Sequence, residues 1–482
     1  MIKRFYDSLG SLFVLSGLFL CALTTSGQSL ISYQEIEELT QNQLTALTSV
    51  PALNGVRIFK VDYLTNGTDN LPDTASGLVV LPDDTSVVRI LAYQHGTTDG
   101  PEDVPSRNNN EALLVKSIAG QGYVVTAADY LGLGDSRGFH PYVHAATEAS
   151  AGIDLLLAGR DLASQEGFKS MEQIFVTGYS QGGHGAMAMA RALQDRETDD
   201  LFITAAAPMS GPYSISGIMR DITVQDSIEY FFPAYVAYTL LGYQEIYGNL
   251  YDSLQQAFKP QFIGMINDFF QGNIDLSELN DFLIEQLTND FGVSIPSLLF
   301  QEDYLTEILG DTSHPVNVAL KDNDNYDWVP QFPLRMYYCT ADDQVPFMNS
   351  VVAEEFMNSN GADDVMAIDV FPAGDHGDCV IPAVLSMLGF FNGFNVSTSL
   401  VERQQFSRLG LFPNPAHAKI QMINIPEDNV DLKVFNQLGI LVLNRKAFSA
   451  RSIDVSELPE GVYQMVLSSQ KELWRGSFII QR

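Results

Sequence analysis

The chain has 482 residues, 46% hydrophobic and 18% charged, a balance typical of folded globular domains and not of disordered or fibrous chains. Its formal net charge of −33 repels phosphate backbones and anionic lipid headgroups, so nucleic-acid binding is excluded as a first reading. Solubility outside a cell is reason enough for such a surface, and the length predicts two to four domains.

At the N-terminus, Lys3 and Arg4 precede an apolar run over residues 9–23, too short for a comfortable membrane span. Thr25-Ser26-Gly27 follows as a cleavage site, so residues 1–27 read as a signal peptide and Gln28 as the first mature residue. Cys21 invites a lipoprotein reading, but Leu18-Phe19-Leu20 before it lacks the small residue that lipid modification requires. The sequence predicts no transmembrane segment in the mature chain, because no later run reaches about 18 apolar residues.

Strand-like and helical runs then alternate. Residues 57–64 and 77–81 read as strands, the second stopped by Pro82; residues 90–93 form a third, leading into Gln94-His95-Gly96-Thr97. Residues 108–119 begin with asparagine caps and stop at Gly120 and Gly122, which predicts a helix. A buried strand at 123–127 leads to Asp129-Tyr130-Leu131-Gly132-Leu133-Gly134-Asp135-Ser136, and 148–162 is a helix with Leu155, Leu156 and Leu162 on its apolar side. Apolar strands follow at 174–177, 203–208 and 334–338. This rhythm predicts an α/β fold, a mostly parallel sheet with helices on both faces.

Residues 213–327 break the pattern. They read as helices, such as 227–241, 261–271 and 277–289, and hold 18 aromatic, 18 acidic and 3 basic side chains. An insertion of this kind before the last strands is a cap whose greasy inner face suits acyl or aromatic groups. Most of its aromatics are expected to form the cap's own core, leaving a handful for a substrate. The catalytic domain is expected to span 28–395, followed by a polar linker at 396–408. Residues 409–482, with short strands at 419–423, 432–435, 440–443, 462–467 and 478–480, predict a small all-β sandwich.

The chemistry centres on Gly178-Tyr179-Ser180-Gln181-Gly182-Gly183. A β-branched run precedes it, and Gly185, Ala186, Ala188, Ala190 and Ala192 continue it in helical register. Strand, sharp turn and helix place Ser180 at a strained corner beside a helix N-terminus, where a hydroxyl is exposed and a developing oxyanion is favoured. Such a serine needs a base, and that base needs an orienting acid. His376, in Ala373-Gly374-Asp375-His376-Gly377-Asp378-Cys379, follows a strand-like run at 367–371 on a loop able to reach the serine. His184, one helical turn from Ser180, is expected to pack locally; His95 belongs to its turn; His140 and His144 can line a pocket; His314 and His417 read as loop residues. Asp342 and Asp343 both follow the strand at 334–338, and Asp342, first out of it, is preferred as the acid. Oxyanion donors are expected from the backbone N–H of Gln181 and of Thr97, the alternative for Thr97 being an ordinary turn. After cleavage of the signal, Cys339 and Cys379 remain as a pair that invites a disulfide in an oxidising compartment, with two free thiols as the alternative. No cofactor or metal is expected: Asp322-Asn323-Asp324-Asn325-Tyr326-Asp327 resembles the start of a calcium loop but lacks its glycine and distal glutamate.

Taken with Asp327-Trp328-x-Pro330 and Ala341-Asp342-Asp343-x-Val345-Pro346, these motifs resemble the α/β-hydrolase superfamily over residues 56–394. Within it they are most similar to the secreted lipase and esterase branch that includes fungal secretory lipases. The resemblance implies cleavage of small-molecule or lipid carboxylic esters through an acyl-enzyme, with Ser180, Asp342 and His376 matching the catalytic motif in the chain order of that fold. A serine peptidase of the same fold, or a binding protein on an inactive hydrolase scaffold, are the competing readings. Leu411-Phe412-Pro413-Asn414-Pro415, Gln437-Leu438-Gly439, Leu458-Pro459-Glu460-Gly461-Val462-Tyr463 and the terminal Phe478-Ile479-Ile480-Gln481-Arg482 resemble a type IX secretion sorting domain. That resemblance implies export by the type IX machinery and attachment at the outer-membrane surface; Arg482 stands where lysine is common.

Overall fold

A computed structural model describes residues 29–169, 171–196, 201–225, 229–394, 406–423, 430–436, 441–469 and 473–481. The predicted signal peptide with Cys21, residues 396–405 of the predicted linker, the Gln437-Leu438-Gly439 turn, Ser227 and Arg482 lie outside the described residues.

Nine strands form one sheet: β1 (Leu30–Leu39), β2 (Val56–Asn66), β3 (Pro72–Pro82), β4 (Arg89–Gln94), β5 (Val124–Ala128), β6 (Gln173–Tyr179), β7 (Ile203–Met209), β8 (Leu334–Tyr338) and β9 (Val365–Asp369). Their order is β1-β2-β3-β5-β4-β6-β7-β8-β9. The first three pair antiparallel and β3 runs antiparallel to β5, whereas β5 through β9 are parallel neighbours. The central strands β5 and β6 are buried at every position, as strands covered on both faces must be. One face packs Val115 and Ile118 of the Asn110–Ala119 helix and Ala383, Met387 and Phe391 of the His376–Asn392 helix. The other packs Leu155, Leu156 and Leu162 of the Ala145–Gln165 helix, Met189 and Leu193 of the Gln181–Asp195 helix, and Met357 of the Met348–Ser359 helix.

The cap is helical, with Pro233–Tyr247, Pro260–Phe270, Leu276–Phe291, Glu302–Gly310 and Pro315–Asp322 closing a third apolar cluster around Phe258, Phe262, Leu279 and Leu283. The helix predicted from 227 begins only at Pro233, because proline sets the backbone for a first helical turn and residues 229–232 are not helical. Pro260 and Pro315 open their helices in the same way.

Three further differences have physical causes. β1 escapes the sequence pattern because it is an edge strand with Glu35 and Glu38 exposed and only Leu30 buried. The strand predicted at 367–371 lies two residues earlier, at Val365–Asp369. His376 is not on a loop: it opens the His376–Asn392 helix, which Asp375 caps by accepting from the Asp378 N–H at 2.8 Å. The helix runs on through Pro382.

The C-terminal module holds a five-stranded sheet (Phe406–Arg408, Leu473–Ile480, Gly461–Ser468, Val430–Asn436, Leu441–Phe448) and a three-stranded one (Gly410–Phe412, Lys419–Ile423, Ser452–Asp454). Leu432, Val434, Met465 and Phe478 of the first pack with Ile420 and Ile453 of the second. Residues 406–408, predicted as the end of the linker, pair parallel with the Leu473–Ile480 strand instead. Among the described residues no helix is long and apolar enough to cross a membrane.

Cys339, just past β8, is bonded to Cys379 in the first turn of the His376–Asn392 helix, and both are fully buried. Closing a loop of 40 residues stabilises the fold by at most about 4 kcal/mol through the unfolded chain. Replacing both cysteines by alanine is therefore expected to lower the urea midpoint by an amount within that limit, and adding reductant to the unfolded wild type should reproduce the loss on refolding. Equal midpoints for variant and oxidised wild type would contradict it.

Candidate active site

The corner at Ser180 exists because backbone packs against backbone. Gly178 lies beside Gln94 in the β4–β6 pairing. A Cβ added at Gly178 would meet the carbonyl oxygens of Gly182 at 2.2 Å and Gln94 at 2.5 Å; one at Gly182 would meet the Gln94 oxygen at 2.0 Å. Neither position admits a side chain without moving the strand end. The turn leaves Ser180 at φ 61° and ψ −124°, a left-handed backbone that a serine adopts only when its surroundings hold it there. They do so through its N–H, which donates to Met209 at the end of β7 at 3.0 Å, and its carbonyl, which accepts from Gly183 and His184 at 2.8 and 3.2 Å.

The orienting pair comes from the next two strands. His376 Nδ1 lies 2.7 Å from Asp342 Oδ2, and the Asp342 side chain is 1% exposed. The other Asp342 oxygen accepts from the N–H groups of Gln344 and Val345 at 3.0 and 2.8 Å. Asp343 has a different task, its Oδ1 accepting from the backbone N–H of His376 at 3.2 Å. Tyr179, the residue before the serine, donates its hydroxyl to the carbonyl of His376 at 2.6 Å, and the two rings lie 5.0 Å apart. This ties the serine corner to the histidine helix. Among the described residues Ser180 Oγ makes no hydrogen bond, to His376 or to any other group.

The predicted anion donors stand on either side of the corner. Gln181 is the first residue of its helix, and a Cβ on Gly96 would lie 3.9 Å from that of Ser180, which brings the Gly96-Thr97 turn alongside. The backbone N–H groups of Thr97 and Gln181 donate to no protein acceptor among the described residues. Thr97 Oγ1 meets the Tyr142 hydroxyl at 2.9 Å, and Tyr142 stacks on Tyr238 of the cap at 4.5 Å. His95 holds the turn from beneath, its ring nitrogens 2.7 and 3.2 Å from the carbonyls of Gly96 and Asp129.

A buried polar network behind Gln181 has no counterpart in the sequence analysis. The Gln181 amide nitrogen is 2.7 Å from His140 Nε2 and 2.9 Å from Glu148 Oε1. Glu148 Oε2 is 2.6 Å from His184 Nδ1, whose Nε2 faces the Asn323 carbonyl at 3.1 Å. Both nitrogens of His184 thus face acceptors. Glu148 and His184 are almost fully buried, and together they clamp the first turn of the serine helix. His140, expected to line a pocket, is instead buried behind Gln181; His184 does bond locally, as its position suggests. His140 Nδ1 donates to the Leu131 carbonyl at 2.8 Å, so Nε2 accepts from Gln181, and burial pushes the ring down to about 3, leaving it neutral. Burial likewise pushes His144 down to about 4. The signal available in advance was one acidic residue on the small-residue face of a helix, one turn after two histidines.

A cavity opens at Ser180 and Gln181, walled largely by apolar and aromatic groups including Tyr142, Leu240 and Val345. Four of the cap's aromatics, Tyr230, Tyr235, Tyr243 and Phe300, line it. The hydroxyls of Tyr230 and Tyr235 reach the acid loop, donating to the carbonyl and side-chain oxygens of Gln344 at 3.0 and 3.1 Å. Among the described residues no cluster of three or more His, Cys, Asp or Glu could hold a metal. In the calcium-like stretch, Asp324 instead accepts from Ser216 and pairs with Lys321.

Residues 106–377 match the family model described as secretory lipase, and residues 410–481 match the secretion system C-terminal sorting domain. Comparison with curated proteins by sequence gives no match. Among solved structures, the chain is similar to the rice cell wall degrading esterase LipA from Xanthomonas oryzae in a ligand-bound form: 27% identity, TM-score 0.65, covering 73% of this chain and 93% of that one. A protein of Legionella pneumophila aligns at 27% identity and TM-score 0.69, covering 77% of this chain and 100% of that one. Candida antarctica lipase A in its closed state shares the fold, at 15% identity and TM-score 0.56 over 76% and 81%.

Because the His140 ring is held neutral, its contribution to stability is present above its unfolded value near 6.5 and is lost as pH falls toward about 3. The unfolding free energy should therefore fall across that window, and His140→Gln should take up about one proton fewer on unfolding within it. Urea titrations at stepped pH measure this; identical slopes for the two proteins would refute the neutral assignment.

Proposed function

As the chain belongs to the secretory lipase family and is an ester hydrolase, we propose that it cleaves carboxylic esters through an acyl-enzyme on Ser180, with His376 as base and Asp342 as the acid that orients it. The observation that carries this reading is the 2.7 Å contact between His376 Nδ1 and Asp342 Oδ2 on a helix tied to Tyr179, the neighbour of Ser180. With its Nδ1–H given to Asp342, the ring presents a lone pair at Nε2, which is what a serine hydroxyl requires.

In this mechanism Ser180 Oγ bonds to the ester carbonyl carbon as its proton passes to His376 Nε2. The carbonyl oxygen becomes an oxyanion, held by the N–H groups of Thr97 and Gln181. Collapse breaks the bond to the alcohol oxygen, which leaves with the proton from His376. Water then attacks the acyl-enzyme, giving its proton to His376; the acid departs and Ser180 regains its hydrogen. The hydrogen bond between Ser180 Oγ and His376 Nε2 is the contact that forms when a substrate is bound. Removing one of the two donors would cost on the order of a hundredfold in rate.

A peptidase holding a free amine would need an acidic side chain on the cavity wall. Among the described lining residues there is none, although the cap carries 18 acidic residues in total. This favours esters over aminopeptidase substrates. The sorting domain marks the protein as secreted. We infer that residues 1–27 are removed on export, that 28–395 form the catalytic domain, and that 409–482 engage type IX machinery before attachment at the cell surface.

Fluorophosphonate should label the wild type covalently and leave Ser180→Ala unlabelled, and the same substitution should lower p-nitrophenyl ester hydrolysis by at least about ten-thousand-fold. Equal labelling of both proteins would remove Ser180 from the reaction.

A further inference from the structure

The cap's 3 basic residues stand among 18 acidic ones, so each has an abundance of carboxylates within its segment. Lys321 takes two of them, Asp324 at 3.0 Å and Asp327 at 3.2 Å. Lys259 donates to the Leu298 carbonyl at 3.0 Å and sits 5.0 Å from the centre of the Phe291 ring. Arg220, which opens the short Arg220–Val224 helix, forms no ion pair among the described residues, although it is half-buried.

Among the described residues its one hydrogen bond runs from Nε to Asn317 Oδ1 at 3.1 Å. Asn317 is not free to turn away, because its amide nitrogen donates to the carbonyls of Ile308 and Asp311 at 2.6 and 2.8 Å. That fixes Oδ1 on the Arg220 side. Among the described residues the guanidinium is thereby held by Nε alone, and its two Nη groups, the edge that grips a carboxylate through two parallel bonds, meet no partner. Arg220 is also, among the described residues, the one charged side chain on the wall of the cavity that opens at Ser180. The remaining walls are mainly apolar, as suits a methylene chain, while a half-buried cation with no counter-charge among the described residues leaves its desolvation cost uncompensated until an anion arrives.

We infer that this cavity takes esters whose acyl chain ends in a carboxylate, that is, monoesters of dicarboxylic acids, with the Nη edge of Arg220 gripping the remote carboxylate while Ser180 meets the ester carbonyl. The inference rests on the ester-hydrolase reading of Ser180 and adds to it the class of acyl group. Recognition is geometric as well as electrostatic: chains too short to span from Ser180 to Arg220 gain nothing from their charge, and one length gains most.

The test uses the full secreted chain and p-nitrophenyl hemiesters of dicarboxylic acids from succinate to dodecanedioate, each matched to the methyl-ended ester of equal length. The wild type should prefer the carboxylate-ended ester at one length, and Arg220→Gln should lower the carboxylate-to-methyl ratio of kcat/KM there by roughly tenfold to a hundredfold. The free dicarboxylate of that length should inhibit the wild type and spare the variant. A wild type that prefers methyl-ended chains at every length overturns the inference, as does a ratio unchanged in Arg220→Gln. Hydrolysis of methyl-ended esters with no preference for charge removes this inference alone. If neither series is hydrolysed and fluorophosphonate does not label Ser180, the ester-hydrolase reading falls with it.

Discussion

The carbonyl oxygen of Gln94 sits where a side chain on Gly178 or Gly182 would have to go. This contact between the end of β4 and the β6 corner holds Ser180 in a backbone conformation that it would not choose alone, with the hydrogen bond from its N–H to Met209 at the end of β7 completing the grip. The parallel centre of the sheet is what makes the contact available. Neighbouring strands end at the same level, so the corner after β6 is packed between the turn after β4 and the end of β7, and the first free N–H groups of a helix fall beside the hydroxyl.

The other parts of the site are fastened to that corner by specific links. Tyr179 bonds the corner to the backbone of His376, and Asp342 takes the ring of the same residue. The Cys339–Cys379 bond joins the segment carrying Asp342 to the first turn of the helix carrying His376. On the opposite side, Glu148, His140 and His184 hold the Gln181 side chain and the turn after it. The Asn323 carbonyl that meets His184 belongs to the cap's last turn, and Gln344 of the acid loop receives two cap tyrosines. The cap is therefore bonded to the machinery on both sides while its apolar cluster supplies the cavity wall.

Much of this could be read from the sequence, for identifiable reasons. The central strands are continuous apolar runs bounded by glycine or proline, and Gly-x-Ser-x-Gly between such a strand and a small-residue helix leaves few alternatives to the corner. The family of the catalytic region and of the C-terminal module follows from motifs of that kind. What escaped was set by tertiary surroundings. β1 buries a single residue and is held by pairing with β2, so no alternation marks it. The His376 helix contains Pro382 and opens with Asp-His-Gly-Asp, signals that locally favour a turn; burial of Ala383, Met387 and Phe391 against the sheet overrides them. The Glu148–His184 pair joins residues 36 apart in sequence and carries no spacing signature. The role proposed for Arg220 depends on the lack of a carboxylate partner among the described residues, which no sequence pattern marks.

The central claim is that strand-end packing gathers one hydroxyl, one imidazole and two backbone N–H groups around a single point. A crystal structure of the protein inactivated by an alkylphosphonate tests it most directly. The account predicts a bond from Ser180 Oγ to phosphorus, a phosphonyl oxygen within hydrogen-bond distance of both the Thr97 and Gln181 N–H groups, His376 Nε2 turned toward Oγ, and the alkyl chain in the cavity beneath the cap. Phosphorus attached elsewhere, or attached to Ser180 with that oxygen facing solvent and His376 turned away, would contradict it.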